Sequence, residues 1–459
     1  MSGANSQLPA ARVCFSILVF AIALYLSASV HEIDRDLKRD PDWRTYFTKD
    51  AMHYYIAAEA FASGDFSMSY EKGWPYRQPL LPLLVAGVMK VTNANLFAIR
   101  MINVLVIAIA TISLFLILRG FWSDSVTAAI VSILFVLNPF VYDQAVRGLN
   151  TEPIHLFLLI CIVACFLRYL RTLRWVYLWL LSLTIGLDYL DRINGSFLAI
   201  AAFMVLICFE CSRYFVETKP LTIQAKHGDT ALSSKALAKA EAHRTGEGVK
   251  LDTTRSRDRQ TPSAKRQTPN VPWWQYALAV LILVAVTTPS WLSRLYYFGH
   301  PFYYGAVQNF LWGDTYLGSM DSPRMLTAAD YFGSHSLLDA AGRFLLGCSK
   351  VFFIIPIDRE RLPLLYFAAL AGIWFAWRQR RMPYLWLLLF YGLQMLPLAW
   401  TQPVNTTPRI PYAATQPFEL FFAAICVHWL WSKSLSGKSF EPENAIPLTN
   451  VVGRPRKMR

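Results

Sequence analysis

The sequence predicts an all-α, polytopic membrane protein of about ten transmembrane helices, with a helical first outer loop. Three observations carry that prediction. Only 16% of the 459 residues are charged, against roughly 25% in an ordinary soluble domain, too few to cover a soluble protein of this size. Hydrophobic residues make up 55% and the mean hydropathy is +0.33. The 15 Trp, 22 Tyr and 30 Phe form the aromatic load typical of membrane interfaces. A soluble enzyme, a disordered chain and a fibrous protein are thereby excluded.

A spanning helix needs about 20 mostly apolar residues. Runs of that kind lie at 13–30, 95–118, 125–142, 150–168, 174–190, 195–213, 273–293, 362–377, 383–400 and 410–431. Two shorter runs, 79–92 and 344–357, belong at the interface or in re-entrant positions. The first run is longer than the 7–15 apolar residues of a signal peptide, and only Arg12 stands before it. It reads as a retained anchor, although Ser27-Ala-Ser29 resembles a cleavage site.

Sidedness follows from the basic turns. Arg168, Arg171 and Arg174 share one turn without an acid, and Arg378, Arg380 and Arg381 share another. The segment 213–272 holds 12 Lys/Arg against 6 Asp/Glu, and the 432–459 tail is basic. With ten spans all four fall on one side, which the positive-inside rule makes cytoplasmic, and both termini fall there too. A full span at 79–92 would put the three-arginine turn outside. The expected organisation is one membrane domain over 1–431, followed by the cytoplasmic tail. Its outer loops are 31–78 and 294–361, and 213–272 is a cytoplasmic insertion whose composition suits a disordered segment.

The net charge of +14 sits mostly in these loops and the tail, so it speaks for membrane topology and not for nucleic acid. Cys208 and Cys211 form a C-x-x-C, but no second pair or nearby His completes a zinc site. There is no phosphate-binding Gly-rich loop, no H-E-x-x-H and no G-x-S-x-G. Charge is scarce in the middle of the spans, where ion-coupled transporters usually place it.

The candidate chemistry lies at the outer ends. In Lys49-Asp50-Ala-Met-His53-Tyr54-Tyr55-Ile-Ala-Ala58-Glu59, residues Asp50, Tyr54, Ala58 and Phe61 share a helix face, and Gly64 stops the helix. Asp50 at the helix start also fits a plain capping and dipole role. The stretch Gly73-Trp-Pro-Tyr76-Arg77-Gln-Pro79 suits a chain turning along the interface. Arg77, Arg147, Arg192, Arg294 and Arg409 all fall at outer positions, against the usual bias. One such arginine snorkels by default. Five suggest a site for an anion, because the planar guanidinium offers paired, charge-assisted bonds to phosphate.

These segments resemble the GT-C superfamily of integral-membrane glycosyltransferases, in the bacterial branch related to protein O-mannosyltransferases and the lipid A aminoarabinose transferase. The matching pieces occur in the family's order. They are Asp50-x-x-x-Tyr54-x-x-x-Ala58, Arg77-Gln-Pro79-Leu-Leu-Pro82 and Leu149-Asn-Thr-Glu152-Pro153. Gly186-Leu-Asp-Tyr-Leu190-Asp-Arg192-Ile-Asn-Gly195 follows, then Pro289-Ser-Trp291-Leu-Ser-Arg294 with Gly299-His-Pro301, and last Arg409-Ile-Pro-Tyr412.

The resemblance implies transfer of a sugar from a polyprenyl-phosphate carrier to an acceptor glycan, lipid or protein on the outer face of a bacterial inner membrane. Asp50 would be the catalytic carboxylate. Arg77, Arg192, Arg294 and Arg409 would hold the donor phosphate, and Tyr54 and Glu152 would bind substrate. His335 and Lys350 are further contact candidates. Some relatives carry two adjacent acids where this chain has Asp50-Ala51, which leaves a divalent metal there without support. Asp143, Glu152, Asp188 and Asp191 do not form a recognisable ligand set in sequence. No other cofactor is implied. The competing reading is a transporter or flippase of a phosphate-containing lipid.

Overall fold

The computed structural model describes residues 7–39, 49–66, 78–214, 272–302, 309–320, 326–357, 362–404 and 409–436. Arg77, most of the 213–272 segment and the 437–459 tail lie outside the described residues. Among the described residues there is no strand. The helices are α1 (Gln7–Arg39), α2 (Lys49–Ala62), α3 (Leu80–Thr92), α4 (Leu96–Trp122), α5 (Ser125–Val136), α6 (Pro139–Val146), α7 (Glu152–Thr172) and α8 (Trp175–Asp191). After them come α9 (Gly195–Tyr214), α10 (Trp273–Phe298), α11 (Tyr316–Met320), α12 (Ala328–Ser334) and α13 (Leu337–Ser349). The last three are α14 (Pro363–Arg378), α15 (Met382–Thr401) and α16 (Arg409–Ser436). The chain divides into two units, Met1–Ala202 with Val271–Ala445, and Phe203–Asn270 with Ile446–Arg459. The described part of the second is the apolar stretch 203–214.

Side-chain pairs fix the direction of each helix in the first unit. α1 runs antiparallel to α4: Asp36 meets Arg100 at 3.2 Å, the Tyr25 hydroxyl donates to the Val104 carbonyl at 3.5 Å, and Phe15 packs on Phe115. α4 and α7 run parallel. Asn103 donates to the Gly148 and Asn150 carbonyls at one end, and Arg168 and Arg171 stack over Phe121 at the other. α8 returns beside α7, and α10 runs parallel to α8. The Tyr169 and Tyr276 hydroxyls meet at 2.6 Å at one end, and Trp291 donates to the Tyr189 hydroxyl at 2.7 Å at the other.

Both α2 and α3 lie between the outgoing α1 and the returning α4, so each begins and ends at the same end of the bundle. The 13-residue α3 is only about 20 Å long at 1.5 Å per residue, short of the roughly 30 Å hydrocarbon core. The 79–92 run therefore does not cross, as the basic turns required.

Eight helices are long and apolar enough to cross a membrane, and a ninth crossing is the pair α5/α6, bent by 52°. The bend sits at Asn138-Pro139, where Asn138 caps α6 and Pro139 occupies its first turn. The expected single run at 125–142 is thus two helices.

A larger difference lies in the late outer loop. The run 344–357 belongs to an apolar helix over Leu337–Ile357, continued past α13 by a π turn at Lys350–Ile354. Its sequence hid this because Asp339, Arg343 and Lys350 interrupt the apolar pattern. Asp339 closes a capping box with Ser336. Arg343 donates to the carbonyls of Trp400, Gly313 and Phe310 at 2.9–3.1 Å, with its plane over Trp400 and Tyr331. That arginine ties the 309–313 segment to α13 and α15.

Contacts along α16 then order the passage. Val351 packs beside Met395 and Ala414; the Tyr366 hydroxyl donates to the Phe352 carbonyl; Gly372 abuts Phe422; Phe375 stacks on Trp429. Hence the Leu337–Ile357 helix and the 16-residue α14 descend one after the other along α16 as a single broken crossing. Adding α8 to the nine gives ten crossings among the described helices. The protein is an integral, multi-pass membrane protein.

Close helix approach makes one glycine testable. A Cβ on Gly372 would stand 1.8 Å from the Phe422 carbonyl oxygen, so α14 and α16 would have to separate. Alanine gains about 1 kcal/mol of helix propensity over glycine, whereas overpacking costs about 1–3 kcal/mol. Gly372→Ala is expected to lower the melting temperature of the purified protein in detergent. An unchanged or raised melting temperature would show that the two helices are not in contact there.

Candidate active site at the acidic end of the bundle

α2 forms because five of its fourteen residues are alanine and Asp50 stands in its first turn, where a carboxylate favours the positive helix end. Gly64, with φ of 88°, follows its last turn. Its apolar stripe of Ala51, Tyr54, Tyr55, Ala58 and Phe61 docks on α3 and joins Leu81, Val85 and Met89 of α3 and Ile154 and Leu158 of α7 in one buried apolar cluster. The predicted face is the one that docks, and it sets Asp50 over the start of α7.

Asp50 accepts a hydrogen bond from Nη2 of Arg409, the first residue of α16. Arg409 Nε lies 3.6 Å from Oε1 of Glu152, the first residue of α7, and Arg192 Nη1 meets that same oxygen at 2.9 Å. Asp50, Arg409, Glu152 and Arg192 therefore form one chain of alternating charge drawn from four segments far apart in sequence. Exposure grades along it. The side chains of Glu152 and Arg192 are 3% and 12% exposed, whereas those of Arg409 and Asp50 are 30% and 27% exposed. The buried half is fixed and the Asp50 half is open. Burial opposes the Arg192 charge, but Glu152 beside it prevails and holds the guanidinium above its ordinary pKa.

One helical turn deeper, His155 Nδ1 meets Asp188 Oδ1 at 2.6 Å, both fully buried. Glu152–Arg192 and His155–Asp188 are thus two polar rungs between α7 and α8. Asp191 is buried with neither carboxylate oxygen hydrogen-bonded. The remaining residues of that segment have packing reasons. Tyr189 takes the Trp291 indole, and a Cβ on Gly195 would lie 2.4 Å from the Tyr189 amide nitrogen.

The loop that leads into Glu152 is held from α4 as well. Asn103 binds the loop carbonyls of Gly148 and Asn150, Arg100 donates to the Val146 carbonyl at 2.7 Å, and Asn150 donates to Gln144 at 3.1 Å. These supports were not anticipated. Their signal was present as Arg100 and Asn103 inside an apolar run, and as His155 one turn from Glu152.

The other candidates divide. Tyr54 is buried on α2, and its phenol is among the groups acting on the Arg192 charge. Arg294 is buried one turn past Trp291. Gln78, next to Arg77, is buried with both amide atoms unsatisfied. Arg147 pairs with Asp143 in the open, at 73% exposure. His335 stacks on Tyr331 and faces Asp314 at 3.4 Å, and Lys350 lies in the π turn. Among the described residues no group of three or more His, Cys, Asp or Glu is placed to hold a metal ion. Arg192 and Arg409, both candidates for the donor phosphate, are each seated on a carboxylate.

Comparison with known proteins agrees with this architecture. The profile of the family described as dolichyl-phosphate-mannose-protein mannosyltransferase matches residues 75–225. The crystal structure of ArnT from Cupriavidus metallidurans bound to undecaprenyl phosphate superposes with a TM-score of 0.50 over 92% of this chain, at 15% identity. The chain has the GT-C fold. It spans 62% of the length of that ArnT chain. The archaeal oligosaccharyltransferase AglB from Archaeoglobus fulgidus, in complex with an inhibitory peptide and a dolichol-phosphate, is also similar. There the TM-score is 0.44 and the identity 15%, over 93% of this chain and 52% of that one. No curated protein sequence matches significantly. The family profile spans the 149–153 and 186–195 segments, which hold Glu152, Asp188 and Arg192, but neither Asp50 nor Arg409.

Proposed function

We propose that this GT-C protein transfers a sugar from a polyprenyl-phosphate carrier to an acceptor hydroxyl, with Asp50 as general base. The observation that carries the reading is the partly open Asp50–Arg409 pair, backed by the buried Glu152–Arg192 pair. A carboxylate at that rim takes the proton as the acceptor oxygen attacks the anomeric carbon. The bond from that carbon to the phosphate oxygen breaks, and the lipid phosphate leaves with the electron pair. A guanidinium has five N–H donors, so one bond to Asp50 leaves Arg409 with others for a departing phosphate. Arg77, Arg294 and Arg192 are the further phosphate candidates, and Tyr54 and Glu152 line the substrate side. The bound undecaprenyl phosphate of the ArnT structure supports a lipid-phosphate ligand for this fold.

The site end of the bundle faces outward in this reading. The opposite end carries Arg168, Arg171, Arg174, Arg378, Arg380 and Arg381 and faces the cytoplasm, as do both termini. A bacterial inner membrane suits that arrangement.

The test uses purified protein in liposomes with a panel of labelled polyprenyl-phosphate sugars and candidate glycan, lipid and peptide acceptors. Release or transfer of sugar from one donor is the expected result. Movement of labelled lipid across the bilayer, with no transfer from any donor, would replace the enzyme by a lipid transporter.

A further inference from the structure

At the basic end of the bundle, opposite the candidate site, α14 closes with an arginine in the left-handed cap position. The amide of Arg381 donates to the Ala376 carbonyl, and that of Arg380 to the Trp377 carbonyl, both at 2.9 Å. This is the paired bond pattern that closes a helix with a left-handed residue, usually glycine. Arg380 holds that position instead, with φ of 49°. A left-handed non-glycine residue is unfavourable by about 1 kcal/mol or more. The favourable dipole effect of a cation at a helix end would be served equally by Arg378 and Arg381 on either side.

The turn frames a groove of about 620 Å³ lined by Trp374, Trp377, Arg378 and Arg380. Both indoles are more than half exposed, at 53% and 71%. Arg378 stacks over Trp374 at 5.2 Å. Among the described residues neither Arg378 nor Arg380 meets a carboxylate. Burial and the nearby Arg171 pull Arg381 below its ordinary pKa, as expected where cations outnumber anions. The groove is thus apolar on one wall and cationic on the other.

We propose that this groove binds the phosphodiester headgroup of an anionic phospholipid from the leaflet on that side. The guanidiniums of Arg378 and Arg380 take the phosphate, and the two indoles pack on the glycerol and upper acyl carbons. Charge selects this occupant over the chain's own segments. The 213–272 segment carries 12 Lys/Arg against 6 Asp/Glu, and residues 437–459 carry 5 against 2. Both would be repelled. Basic pockets between helices at the cytoplasmic side are suited to anionic headgroups. A free phosphate ion would leave the indoles unused.

The experiment is native mass spectrometry of the full chain in detergent, titrated with phosphatidylglycerol, phosphatidylcholine or inorganic phosphate. The wild type is expected to bind one phosphatidylglycerol at least about tenfold more tightly than phosphatidylcholine, a preference of about 1.4 kcal/mol. Arg378→Gln with Arg380→Gln should erase the preference, and Trp374→Ala with Trp377→Ala should weaken both lipids. Arg119→Gln, an exposed arginine at the same end, should leave the preference within about twofold. Circular dichroism and melting curves check that each variant is folded. Equal binding of the two lipids by the wild type overturns the proposal. So does an Arg119→Gln loss matching that of the paired variant, which would mean diffuse surface charge. Displacement of phosphatidylglycerol by equimolar inorganic phosphate would make this a free-anion site. Tighter lipid binding after removal of 437–459 would make the tail the resident occupant.

Discussion

Asp50→Asn is expected to lower sugar transfer by about 10²–10⁴-fold while the protein stays folded and still binds donor. The two effects separate by magnitude. Asparagine removes the base but keeps the shape, and a thousandfold loss corresponds to about 4 kcal/mol of transition-state stabilisation. The ion pair to Arg409 has both side chains about 30% exposed, and pairs of that kind are worth about 0–1 kcal/mol to stability. If Asp50 served only to begin α2, the loss would be the 0.3–1 kcal/mol of an acid at a helix N-terminus, read as a small melting shift with full activity. Single-turnover transfer with a saturating donor, measured beside the melting curve, distinguishes them. Arg409→Gln provides the complement. It frees Asp50 from its partner while weakening phosphate binding, so its main effect should fall on KM for the donor, with kcat reduced less than in Asp50→Asn.

The helices were legible from apolar length alone, and their direction from the arginines at one end, because the lipid core allows few alternatives. Reading failed where polarity inside a helix has a local use. Arg343 made Leu337–Ile357 look like loop, yet its charge is absorbed by backbone carbonyls and aromatic faces. Asn138-Pro139 sits inside an unbroken apolar run and still turns the chain by 52°, because a capping asparagine and a proline at the next position begin a new helix. The site residues Asp50, Glu152, Arg192 and Arg409 could each be picked as outer-end charges. Their pairing could not, since it joins residues 359 positions apart and depends on α2 docking on α3. His155 was passed over because a lone histidine in an apolar span has no partner visible within its own segment. Asp188, its partner, lies 33 residues away.

Glu152→Gln is expected to produce the largest loss of stability of any single change at the site. Glu152 is buried and faces two arginines, Arg192 at 2.9 Å and Arg409 at 3.6 Å. Removing one partner of a buried pair typically costs about 3–5 kcal/mol, because the other charge is left without compensation. Arg192→Gln should be milder, since Glu152 then retains Arg409. Glu152→Gln combined with Arg192→Met should recover more than half of the lost melting temperature, because the variant no longer buries an uncompensated guanidinium. None of these variants restores transfer. Without Glu152, Arg409 loses its inner anchor and Asp50 loses a fixed neighbour, so stability and activity part company in the double variant. A Glu152→Gln protein that melts like wild type would mean that Arg192 finds its counter-charge elsewhere. The buried, unpartnered Asp191, next to it in sequence, is then the residue to remove.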